Sequence, residues 1–120
     1  MYRRTIGMIM ATFLFATAAY AHTDEGTKWS GFCGSDLAKP QPCAIRDKVG
    51  GDGQHDLQFS FGGKTSNFVG KNNSAWWIGG LNGRPAMGYE VSRGHTVYST
   101  TDLKETFEWC DKLSSDGYCR

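Results

Sequence analysis

An all-β fold, a small antiparallel meander that closes fully or partly into a barrel, is what this sequence predicts. Three observations predict it. From Ser74 to Asp102 short apolar and aromatic runs are cut by Asn82-Gly83 and by Arg93-Gly94, the pattern of consecutive strands joined by tight turns. In HDLQFSFGG, Leu57, Phe59 and Phe61 alternate with Asp56, Gln58 and Ser60, the period of two of a strand with one buried face. Glycine pairs at 50, 62 and 79 recur without a fixed spacing, so they mark turns and bends rather than an internal repeat.

The elements follow in order. Trp29, Gly31 and Cys33 alternate with Ser30 and Phe32 in a first strand, residues 34 to 42 read as a loop, and Cys43 to Val49 forms a second strand whose alternation Ala44 and Asp47 interrupt. Gly50-Gly51-Asp52-Gly53 turns the chain into the strand at His55 to Phe61, and Gly62-Gly63 reverses it into Lys64 to Val69. Gly70 to Asn73 is expected to reverse it again, into a strand from Ala75 to Ile78. Asn82 and Gly83 both tolerate positive φ, so they suit a two-residue hairpin turn, and Pro85 must then sit where no ladder donor is required. The next strand runs to Val91, and Arg93-Gly94 leads into His95 to Thr100, where Thr96 and Tyr98 face opposite Val97 and Ser99. Asp102 to Leu113 reads two ways. Asp102 with Glu105 resembles a capping box and Leu103, Phe107, Cys110 and Leu113 recur at helical spacing, whereas Phe107 and Trp109 suit a strand. Six, seven or eight strands and at most one short helix near the C-terminus result. Barrel closure removes exposed edges, and a two-sheet sandwich is the alternative packing.

Composition bounds what such a domain does. Arg3 and Arg4 precede the largely apolar stretch from Ile6 to Tyr20, and Ala19-Tyr20-Ala21 has the small-x-small pattern of a signal-peptidase site, so Met1 to Ala21 reads as a signal peptide. A single domain from His22 to Arg120 is expected to remain, in the periplasm or secreted. Removing Arg3 and Arg4 from the 13 Lys and Arg leaves 11 against 12 Asp and Glu, a formal charge of −1. Without a basic cluster there is no electrostatic reason to expect nucleic acid or an anionic membrane as partner, and a monomer is the expectation. Cys33, Cys43, Cys110 and Cys119 make an even set in a small exported chain, which reads as two disulfides. Pro40-Gln41-Pro42 and Ser114-Ser115-Asp116-Gly117 can each turn the chain back, which favours Cys33 with Cys43 and Cys110 with Cys119 over the other two pairings.

The residues that could carry a function are mostly aromatic. Trp76 and Trp77 are adjacent, so in a strand they point to opposite faces and only one can fill the core. The other, with Tyr89 and Tyr98 on neighbouring strands and with Arg84 nearby in sequence, would build a platform that anchors a protein or stacks on a sugar. Cleavage after Ala21 would expose His22, whose amine and imidazole could hold copper together with His55 or His95. Acid–base groupings reduce to His55 with Asp56, and His95 with Asp102 or Glu90. No nucleophile elbow, His-Glu-x-x-His or complete phosphate loop occurs, so no cofactor and no metal are expected.

The segment GYEVSRGHTVYSTTDLKETFEWC, Gly88 to Cys110, loosely resembles the C-terminal hairpins of the periplasmic C-type lysozyme inhibitors, small exported bacterial β-barrels with a disulfide. Those inhibitors insert a loop with a Ser-Gly-x-x-Tyr type motif into the lysozyme cleft. The nearest stretch here, Asn82 to Tyr89, lacks that motif, so no residue role is carried over. The leading expectation is a non-catalytic binding domain that recognises a protein or glycan through Trp76 or Trp77, Arg84 and Tyr89. An inhibitor of an extracellular hydrolase using Asn82 to Met87 is the second reading, and a small metal carrier or enzyme using His22, His55 and His95 is the third.

Overall fold

The computed structural model describes residues 26–120; the expected signal segment Met1–Ala21 and His22 lie outside the described residues. Eight strands follow one another: β1 (Thr27–Ser35), β2 (Gln41–Val49), β3 (His55–Phe61), β4 (Lys64–Asn73), β5 (Trp76–Leu81), β6 (Arg84–Ser92), β7 (His95–Thr100) and β8 (Thr106–Cys110). Each pairs antiparallel with the next, and β8 returns to pair with β1, closing the barrel. All of the fold is therefore β-sheet and connections among the described residues, and no helix is present there.

The inward residues follow strand parity. Ile45, Phe59, Phe68 and Leu81 are sealed from solvent, and their neighbours alternate outward. Phe59 stacks on Phe107 with ring centroids 4.6 Å apart, and Phe68 lies 4.5 Å from Tyr98, so the axis of the barrel is filled by contacting rings. Burying each such side chain contributes about 1.5–3 kcal/mol. The disulfides are Cys33–Cys43 and Cys110–Cys119, the pairing that the turn residues favour. In the chain-entropy account each loop of about ten residues adds about 2–3 kcal/mol.

The capping-box reading of Asp102 to Leu113 gives way to a loop followed by β8. Leu103 sits at φ 63°, a left-handed conformation that a helix start excludes. Asp102 instead accepts from the Thr100 hydroxyl at 2.6 Å and from the Lys104 amide at 3.1 Å, and these two bonds, the Thr100 bond foremost, lower its carboxyl pKa. Alternation of Phe107 and Trp109 then decides the segment. Two boundaries also move. Gly70 to Asn73 does not reverse the chain: β4 runs through it, and the turn is at Ser74-Ala75, with Ser74 at φ 62°. Gly70 pairs with Gly79, where a Cβ would lie 2.0 Å from the Val69 carbonyl oxygen, so these glycines permit close approach of β4 and β5. The expected loop at 34–42 contracts because β1 extends to Ser35 and β2 starts at Gln41.

The two ends of the barrel can now be distinguished. The connections at 36–40, 62–63, 82–83 and 101–105 lie at one end, here the base, which Phe61, Leu81, Phe107 and the Cys33–Cys43 disulfide fill. Those at 50–54, 74–75 and 93–94 ring the other end, here the cup.

Candidate functional site

Two aromatic sites separate across the barrel wall at the Trp76-Trp77 step. Trp76 points outward and is 49% exposed; Trp77 points inward and is 9% exposed. On the outside Trp76 pairs in register with Tyr89, and the two rings touch with centroids 4.7 Å apart. Tyr89 pairs onward with Val97, and in the next row Ile78 pairs with Met87 and Met87 with Ser99. Ile78, Met87, Tyr89 and Val91 are all exposed. A groove of about 320 Å³ runs along this face, with Leu37, Trp76, Met87, Tyr89 and Val97 on its walls.

Two of the residues expected at this platform are elsewhere. Tyr98 shares the inward parity of Thr96 and Thr100 and is buried, so it presents no exposed ring. Arg84 pairs with Leu81 at the opposite end of the β5–β6 hairpin, and its guanidinium donates to Asp102 at 3.2 Å. Ile78 and Met87 join the patch unforeseen; their outward parity relative to Trp77 was the available signal.

The second site is the cup, where inward positions are polar as well as aromatic. His55 Nδ1 lies 2.8 and 3.0 Å from the two Asp47 oxygens across the β2–β3 pair. A carboxylate only accepts, so Nδ1 carries a hydrogen in this contact. The His55 ring meets Trp77 edge-on at 4.8 Å, and Trp29 meets Trp109 edge-on at 5.7 Å across the β1–β8 seam. Glu90 accepts from the Asn72 amide at 3.2 Å. Asp47, His55, Glu90 and the indoles of Trp29, Trp77 and Trp109, with Arg93 and Thr96, surround a cavity of about 270 Å³. Burial pushes the Tyr98 hydroxyl pKa well above its ordinary value, and the charges of Asp47 and Glu90 add to the rise. Trp109 lies beside that hydroxyl and offsets part of the effect, although no hydrogen bond of acceptable geometry joins them. Tyr98 is therefore held protonated.

The sequence pairs His55–Asp56 and His95 with Asp102 or Glu90 do not form. Adjacent strand residues diverge, so His55 finds Asp47 on the next strand, and His95 Nε2 bonds Glu108 at 2.9 Å. His95 has the outward parity of Val97, and its side chain is only 12% exposed rather than free at a hairpin tip. His55 faces inward, so these two histidines stand on opposite sides of the wall. His95, Glu108 and Cys119 bring ligand-type atoms within 4.8 Å of one another, but Cys119 is in a disulfide and offers no thiolate, which leaves two ligands. No family model, no curated protein and no solved structure matches this chain, so its own residues carry the functional reading.

Proposed function

We propose that this chain is an exported, non-catalytic binding domain that takes a protein partner on the outer face of β5, β6 and β7, with Trp76 and Tyr89 as anchors. The carrying observation is that these two rings touch each other while Trp76 is 49% and Tyr89 41% exposed. Large rings left in water beside Ile78, Met87 and Val91 form a contiguous apolar patch, and such patches mark interaction surfaces. Aromatic and methionine side chains are also those enriched at the centre of protein interfaces. The patch favours protein over glycan because Leu37, Ile78, Met87, Val91 and Val97 surround the two rings and outnumber the polar Ser99, Thr106 and Glu108 of the groove. The two disulfides suit an oxidising compartment, which supports the export reading.

The inhibitor reading has less support. Asn82 and Gly83, at φ 51° and 82°, make a two-residue turn, and Arg84 to Met87 already belong to β6, so this stretch offers no long loop to insert into a cleft.

The test compares proteins retained from an extracellular fraction by the immobilised wild-type chain, Trp76→Ala and Arg84→Ala. Retention of a discrete protein by the wild type and Arg84→Ala, and its loss with Trp76→Ala at unchanged thermal stability, supports the proposal. Retention that survives Trp76→Ala, or binding only to immobilised glycans, overturns it.

A further inference from the structure

The cup is a second, separate site. We propose that it binds one neutral sugar ring, a monosaccharide or the terminal unit of a glycan, independently of the outer patch. Two polar atoms at this end are left unpaired by the fold. Trp77 Nε1 and the Tyr98 hydroxyl are buried, belong to residues lining the cavity, and have no hydrogen-bond partner among the described residues. An orphaned buried donor is costly, so a molecule that accepts from both stabilises this end of the barrel. Eight-stranded barrels of this width can hold one small ligand.

Chemistry narrows the ligand further. Asp47 and Glu90 line the same cavity and disfavour an anion. A cation is drawn by those carboxylates and by the indole faces, but it leaves the Trp77 N–H, which only donates, without an acceptor and meets the Arg93 guanidinium at the same cavity. A purely apolar ring would leave both donors unpaired. What remains is a neutral molecule that both accepts and donates hydrogen bonds and has a flat apolar face, and the hydroxyls and C–H face of a pyranose supply all three. The indoles of Trp29, Trp77 and Trp109 supply faces and edges against which such a ring can lie. Size agrees: a dry cavity of about 150 Å³ takes a bare six-membered ring. The 270 Å³ here leaves room for its substituents and falls below the usual range for drug-sized ligands.

The experiment titrates the oxidised protein with N-acetylglucosamine and with glucose, followed by tryptophan fluorescence, with choline and acetate as the charged comparators. The expected result is saturable change with at least one sugar and none with choline or acetate. Tyr98→Phe keeps its ring and removes one donor, so it should weaken the sugar about tenfold, the usual scale for one buried hydrogen bond; Trp77→Phe removes the N–H together with part of the ring that meets His55 and Phe68, so it should weaken the sugar at least as much. Circular dichroism confirms that both variants fold. Trp76→Ala should leave the titration unchanged, which separates this site from the outer patch. No saturable change up to about 100 mM sugar, well beyond millimolar affinity, overturns the proposal. So does preferential binding of choline or acetate, or sugar binding that neither donor-removing variant weakens.

Discussion

The base and the cup of the barrel are formed by the same eight strands, yet their inward residues obey different rules. At the base Cys33, Cys43, Phe61, Leu81 and Phe107 are all at most 5% exposed. At the cup Asp47, His55 and Glu90 occupy the same inward parity, with Thr96 and Trp77 between them. A chain selected only for packing would fill those positions with aliphatic residues, because half-buried carboxylates and unpaired donors cost stability. Apolar burial at the base and through the middle of the barrel therefore supplies stability, while the cup departs from core chemistry where a binding surface would.

Three measurements test the contrast between base and cup. The largest effect is expected at the base: Phe107→Ala removes a ring that touches Phe59 and Phe61, and should cost about 3–5 kcal/mol in urea unfolding. His55→Ala at the cup should cost no more than about 1 kcal/mol. Equal losses would make the cup an ordinary part of the core. Next comes the base disulfide. Replacing Cys33 and Cys43 together by alanine should cost about 2–3 kcal/mol through the unfolded chain, with the barrel's far-ultraviolet dichroism retained.

The third effect is smaller and depends on pH. The native state holds Tyr98 protonated above its ordinary pKa of 10.0, whereas the unfolded chain releases that proton near 10. Tyr98 therefore contributes its full share below pH 10, and stability falls as pH rises beyond it, by at most about 1.4 kcal/mol per pH unit. Tyr98→Phe should lose less over the same alkaline range. An equal alkaline slope in the variant would show that the hydroxyl is not sealed.

Much of the fold is legible in local sequence. The alternation at His55–Phe61, the Asn82-Gly83 turn, the cysteine pairing and the divergence of Trp76 from Trp77 each depend on a few adjacent residues. Gly70 and Gly79 are harder, because a glycine read alone signals a turn, and only their meeting across β4 and β5 shows that they serve close strand contact. Leu103 carries the least local warning, since its left-handed backbone is imposed by Asp102 and Thr100 rather than by its own side chain. Tyr98 could not be assigned by parity alone. Val97 and Tyr98 are both plausible core residues, and only the closed barrel decides which faces the axis. The cup was the least visible, because Asp47, His55, Trp77, Glu90 and Trp109 come from five strands that meet only when the ring is complete. One clue was there: Asp47 breaks the apolar alternation of β2 at an inward position.

The seam between β1 and β8 also sets the order in which this chain can fold. Every other ladder joins neighbours in sequence, but Phe32 meets Cys110 across 78 positions (110 − 32). Local hairpins lose little entropy on forming, whereas this last contact ties up nearly the whole domain, so topology makes it the slow one. Trp29 and Trp109 come together only across that seam, which makes their indole emission a clock for it. During synthesis the first strand must wait, paired on one side only, until the last has been made.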